Sequence, residues 1–139
     1  MILLLDTNVV IDVLTKRDGF EASLDVMRYC EVKAVKGYVT AVSVTDIMYI
    51  LRKYIEPAQV RDAVKTMLAI VDVAGVVKGD IMKAFSSDMR DFEDAVQASC
   101  AKRIKADYVV TRNLRDFEAS PVPAISPADL IVKLKKQYH

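Results

Sequence analysis

Four consecutive apolar residues, Ile2-Leu3-Leu4-Leu5, stop abruptly at Asp6. A run this short, bounded by a charge, suits a strand buried on both faces. The pattern recurs along the chain, with helical spacing in between. Val9, Val10, Val13 and Leu14 follow at helical intervals. A second helix is predicted from Phe20 to Val35, ended by Gly37, and a second strand over Tyr38 to Val42. Ser43 opens a third helix with Ile47, Ile50 and Leu51 on one face, and Pro57 starts a fourth. Ile70 to Val73 is a weaker strand candidate. Helices are predicted over Asp80 to Phe85 and Asp91 to Ile104, the latter with Phe92, Ala95, Val96, Ser99 and Cys100 inward. Tyr108 to Val110 and Ala124-Ile125 are strands, and Ser126-Pro127 opens a last helix. Short apolar strands joined by helices imply βαβ units. The expected fold is a three-layer α/β/α sandwich on a mostly parallel sheet.

Length and composition agree. The 139 residues are 53% hydrophobic and 28% charged, which sets a prior of one domain over 1–139 and excludes a disordered or low-complexity chain. No internal repeat or linker breaks it. Cys30 and Cys100 make no disulfide framework, and one His leaves no zinc spacing. A reducing, cytoplasmic setting follows. A net charge of +1 argues against a protein that coats DNA, while leaving room for an enzyme that touches nucleic acid briefly. No basic region precedes the N-terminal run, and no stretch reaches the ~18 apolar residues of a membrane span.

Sites in parallel sheets form at the carboxyl ends of strands, so the polar residues just after each strand are the candidates. Asp6, Thr7 and Asn8 follow the first strand. Ser43 and Asp46 lie in the first turn of the helix after the second. Asp91 and Asp94 open a later helix, and Thr111, Arg112, Asn113, Arg115 and Asp116 follow the Tyr108–Val110 strand. Asp107 precedes that strand and is excluded. If the first strand and Tyr108–Val110 are neighbours, Asp6, Asp46, Asp94 and Asp116 converge on one cleft. Crowded carboxylates need compensation, and an oxygen-only donor set favours Mg²⁺ or Mn²⁺. Such ions neutralise the charge developing on a phosphodiester. Thr7, Asn8, Ser43, Thr111 and Asn113 are placed to orient the carboxylates by hydrogen bonding.

Plainer roles exist for each residue. Ser43-x-x-Asp46, Asp91-x-x-Asp94 and Ser126-x-x-Asp129 all have capping-box spacing, and acidic residues favour a helix's first turn anyway. Asp6 is harder to dismiss, because a carboxylate after a buried strand must find donors or a cation.

Leu3-Leu4-Leu5-Asp6-Thr7-Asn8-Val9-Val10-Ile11-Asp12 resembles the opening of a PIN domain. Val39 to Asp46, Asp91-Phe92-Glu93-Asp94-Ala95 and Thr111 to Phe117 resemble the family's next three segments, in order. The resemblance implies a metal-dependent ribonuclease of the VapC type, the toxin of toxin–antitoxin pairs. Asp6, Asp46, Asp94 and Asp116 would hold Mg²⁺ or Mn²⁺ and support water attack on RNA. It also implies a homodimer and a small antitoxin partner. The second acidic position is usually Glu in that family, and Asp46 is one methylene shorter.

Other residues carry less. Asp12 suits a helix-paired role as well as a site role, and Asp91 suits a helix cap supporting the site. Arg112 and Arg115 flank the site and could hold RNA phosphate. Lys102, Arg103 and Lys105 are explained by the helix dipole, and His139 is expected to be disordered. A haloacid-dehalogenase-type phosphatase would need Asp where Asn8 stands. A receiver domain would need an acidic pair beside Asp6. An inactive PIN-like module that only binds RNA or a partner is the remaining alternative.

Overall fold

Leu3, Leu4 and Leu5 are fully buried, so β1 (Ile2–Leu5) runs through the middle of the molecule. Side chains alternate across a strand. Leu3 and Leu5 therefore join one core cluster and Leu4 the other. Burying each such side chain is worth roughly 1.5–3 kcal/mol. The computed structural model describes residues 1–138; His139 lies outside the described residues.

After β1 come α1 (Thr7–Thr15), α2 (Phe20–Glu31), β2 (Lys36–Thr40), α3 (Ala41–Leu51), α4 (Pro57–Leu68) and β3 (Asp72–Ala74). They are followed by α5 (Lys78–Phe85), α6 (Phe92–Arg103), β4 (Tyr108–Val110), a 3₁₀ turn (Leu114–Phe117), β5 (Ala124–Ile125) and α7 (Pro127–Tyr138). The sheet order is β3-β2-β1-β4-β5, and every pairing is parallel. Residues from α1, α2, α3, α4 and α7 pack on the Leu3/Leu5 face. Residues from α5 and α6 pack on the Leu4 face. The fold is the expected three-layer α/β/α sandwich.

Strand order places the site. The chain builds outward from β1 through β2 to β3, then returns to the other side of β1 for β4 and β5. That reversal opens a crevice at the carboxyl ends of β1 and β4. Asp6 follows β1 there, and Thr111 follows β4; the Asp6 N–H donates to the Val110 carbonyl oxygen at 2.9 Å. Asp107 sits at the opposite edge, accepting from the Ile2 N–H at 2.7 Å, as its exclusion requires.

Several boundaries differ from expectation. The second strand ends at Thr40, because the Thr40 hydroxyl caps α3 by accepting from the Ser43 N–H at 3.1 Å. Ser43 is thereby inside the helix and buried, and Asp46 falls in the second turn, where it cannot act as a cap. Helix α2 stops at Glu31, before the left-handed Lys33. Phe92, expected inside, is exposed and packs on Phe85 with ring centroids 4.8 Å apart. Arg103 does more than balance a helix dipole. Its Nε lies 3.1 Å from Oδ2 of the buried Asp80, and its Nη2 donates to the Gly75 carbonyl oxygen.

Candidate active site

A pocket of about 280 Å³ opens at the crevice, lined by Asp6, Thr7, Asn8, Asp46, Ile50, Asp91, Glu93, Asp94, Gln97, Asn113 and Asp116. Four separated stretches of chain meet there: the β1–α1 junction, α3, the start of α6, and the segment after β4. Six of the lining residues are acidic and none is basic. The four carboxylates predicted to converge are all among them.

Asp6 is the deepest, at 3% exposure. Both of its oxygens are held. Gln97 Nε2 donates to Oδ1 at 3.2 Å, and Thr111 Oγ1 donates to Oδ2 at 2.9 Å. Burial pushes the Asp6 carboxyl above its ordinary range, against the pull of Gln97, Thr111 and the Thr7 and Asn8 amides. The supports are themselves supported. The Asn113 N–H donates to Thr111 Oγ1 at 3.0 Å. Ser43 Oγ donates to Gln97 Oε1 at 3.5 Å, accepts from Thr40 at 3.1 Å, and lies 2.7 Å from Thr7 Oγ1. A buried hydroxyl–amide chain thus ties β2, α1 and α6 to one carboxylate, which fixes its orientation.

Asp91 and Asp94 divide the roles that spacing left open. The Asp91 carboxylate caps α6, accepting from the Asp94 N–H at 2.9 Å. Asp94 is pushed up to about 7, first by burial and then by the charges of Asp6, Asp91 and Asp116. Glu93 is pushed up to about 8, chiefly by a side-chain hydrogen bond with Asp46, then by burial and the charges of Asp46, Asp91 and Asp94. Carboxyls that resist ionisation together mark a site short of positive charge.

Sequence reasoning missed Glu93 and Gln97. They are four residues apart on α6, with Asp94 beside Glu93, and that spacing puts them on one helix face. Helical phase was the available signal. Arg112 departs from its expected place at the pocket: its Nε lies 2.5 Å from Oδ2 of the buried Asp12, which settles Asp12 in a paired role. Arg115 does face the carboxylates. With Arg90, Asp91, Asp94 and Asp116 it lines an adjoining groove of about 610 Å³.

The donor set suits a hard divalent cation: oxygen ligands only, without a lysine or arginine in the lining. Among the described residues, no three acidic, His or Cys side chains are drawn tightly enough together to hold a metal ion as they stand.

A doubly wound parallel sheet with acidic side chains gathered at its switch point defines an α/β protein with an acidic crevice. The family model for the PIN domain matches residues 3–115, and the chain belongs to the PIN domain family. No curated protein matches the sequence significantly. Among solved structures, a chain of VapBC2 from Rickettsia felis, bound to a promoter DNA fragment, is similar with a TM-score of 0.74 at 15% identity. That match covers 91% of this chain and 98% of the other. A chain of VapBC-1 from nontypeable Haemophilus influenzae matches at 0.70 and 14% identity, covering 92% and 99%. VapC20 of Mycobacterium tuberculosis, a toxin that cleaves the sarcin–ricin loop, matches at 0.61 and 14% identity, covering 77% and 86%.

Proposed function

We propose that this chain is a divalent-metal-dependent endoribonuclease, working as one PIN-like domain over 1–139. The observation that carries this reading is the switch-point pocket itself, with six acidic residues and no cation in its lining. Asp6, Asp46, Asp94 and Asp116 would hold Mg²⁺ or Mn²⁺. The ion would supply Lewis-acid stabilisation of the charge that develops on an RNA phosphodiester. Gln97 and Thr111 fix Asp6 from behind, and Asp91 holds the α6 end that carries Asp94. Thr7, Asn8 and Asn113 complete the polar wall, with Ser43 bracing Gln97. Arg115 faces the groove where a phosphate chain would run, and Arg112 braces the same strand end through Asp12. Likeness to chains of toxin–antitoxin complexes supports a toxin role restrained by a small antitoxin; we place this toxin in the cytoplasm as a homodimer.

Cleavage of structured and unstructured RNA by purified protein, with Mn²⁺ or with EDTA, tests the activity. Asp6→Asn is expected to slow cleavage by at least ~10²-fold, the scale of a lost electrostatic contribution to catalysis. Full activity in EDTA, or unchanged cleavage by Asp6→Asn, overturns the mechanism. RNA binding without cleavage in any metal favours the inactive PIN-like module instead.

A further inference from the structure

The polar surface does not end at the acidic crevice. The groove that holds Arg90 and Arg115 shares Asp91, Asp94 and Asp116 with the crevice, and so adjoins it. That groove in turn shares Asp88 and Ala119 with a further pocket of about 370 Å³, walled by residues of α5 and α6. The three cavities form one continuous track around the start of α6, and its charge changes along the way. The crevice has six acidic residues and no cation. The groove sets two arginines among five acidic residues. The last pocket sets Lys83 and Lys102 against Asp88 alone.

Helical phase builds that last pocket. Ala95, Ser99 and Lys102 are spaced i, i+4 and i+7 on α6, which stacks them on one face, and Lys83 stands near the end of α5. Both lysines lie in last turns, where the helix dipole alone would account for them. Ser99 is what the dipole does not explain. It is 7% exposed and lines the pocket, and its hydroxyl makes no hydrogen bond among the described residues. A serine inside a helix ordinarily bonds back to a carbonyl one turn earlier or points to solvent. Here a buried wall keeps an open donor beside two lysines that belong to no ion pair among the described residues. Arg103, next in sequence to Lys102, is committed to Asp80. A hydroxyl and two flexible ammonium groups suit the oxygens of a phosphate.

We infer that this pocket is a phosphate-binding subsite for an RNA strand, in which Lys83, Lys102 and Ser99 hold a backbone phosphate that flanks the segment in the acidic crevice. The inference rests on the nuclease reading above and gives its substrate a path: out of the crevice, past Arg115 and around the start of α6. Phosphate contacts fix register and orientation without reading sequence. The subsite therefore contributes affinity and places the strand, and it carries no base preference.

RNA binding at several salt concentrations tests this. A labelled single-stranded RNA is titrated in Mn²⁺ with Asp6→Asn protein, a background in which cleavage is slowed, and binding is read by fluorescence anisotropy. Adding Lys83→Gln and Lys102→Gln together should weaken binding by about 10-fold at low salt. It should also lower the slope of log affinity against log salt by roughly 0.7, the share of one neutralised phosphate on a single strand. Lys83→Arg with Lys102→Arg should keep both affinity and slope. Ser99→Ala should weaken binding by about 3-fold and leave the slope alone, because it removes a neutral donor. Lys135→Gln on α7 is the control for net charge. Unchanged affinity and slope in the double glutamine variant overturn the inference, and so does an equal loss in Lys135→Gln. Inorganic phosphate that raises the melting temperature of the parent but not of the double glutamine variant, with RNA affinity unchanged, makes the pocket a small-anion site and overturns it too. Should Ser99→Ala fail to fold, the lysine variants decide alone. A parent that cleaves RNA in Mn²⁺, with a double glutamine variant that binds the strand as tightly as Asp6→Asn alone, sinks this inference by itself. A parent that neither binds nor cleaves RNA in Mn²⁺ sinks the nuclease reading with it.

Discussion

Asp91 and Asp94 are one helical turn apart and chemically identical, yet their carboxylates do opposite things. Asp91 spends its charge on the Asp94 N–H at the start of α6. Asp94 faces Asp6 and Asp116, and its carboxyl is raised to about 7 by burial and by those neighbours. A helix-end charge stabilises, whereas a crowded charge costs stability. Asp94→Asn should therefore leave the metal-free protein as stable as the parent or more so. It should also lose most of the stabilisation that Mn²⁺ gives the parent by mass action on the folded state. Thermal melting of both, with EDTA and with Mn²⁺, measures this, and Asp129→Asn in the first turn of α7 serves as the control. A destabilised Asp94→Asn that keeps the full Mn²⁺ shift would return Asp94 to a purely structural role.

Helices α5 and α6 cover the Leu4 face of the sheet with small residues: Ala84, Ala95, Ala98 and Ala101. Small side chains allow close packing but bury little area each. Polar ties add to them. Asp80 on α5 is 2% exposed and accepts from the Val77 N–H at 3.1 Å and from Arg103 Nε on α6. The Arg103 guanidinium also bonds the Gly75 carbonyl oxygen. Arg103→Met should leave Asp80 buried without its cation. The expected cost is on the order of 2 kcal/mol, below the ~3–5 kcal/mol of a fully buried pair, since the Arg103 side chain is 38% exposed. Urea unfolding checks it. A loss under about 0.5 kcal/mol, the scale of an ordinary surface substitution, would mean that water reaches Asp80 freely. Because α6 carries Glu93, Asp94 and Gln97, this tie also steadies one wall of the site.

For the molecule as a whole, gathering acid at one sheet edge has a pH signature. Glu93 and Asp94 ionise near 4.5 and 3.8 when unperturbed, and near 8 and 7 in the fold. Between those limits the native state binds more protons than the unfolded chain. The stability these two groups contribute is complete below the unfolded values and lost as pH rises through the folded ones. Melting temperature in EDTA should fall from about pH 5 to pH 8, and saturating Mn²⁺ should flatten that slope. A melting temperature that climbs across this range without metal would contradict the crowding. The sequence by itself determined the layers, because apolar runs of strand length separated by helical periods have few other ways to be buried. It also singled out Asp6, Asp46, Asp94 and Asp116 as candidates, by reading each as following a strand or lying near a helix start at the edge where parallel sheets form sites, and all four line one pocket. Only tertiary structure decided which polar groups serve them. Thr40 rather than Ser43 caps α3, and the turn register of that helix moves Asp46 out of capping position. Glu93 and Gln97 turn toward Asp46 and Asp6, and Arg112 turns away to Asp12. Those partners lie 47, 91 and 100 positions apart in the chain. Local spacing carries no information about such pairs; helix phase and strand order bring them together.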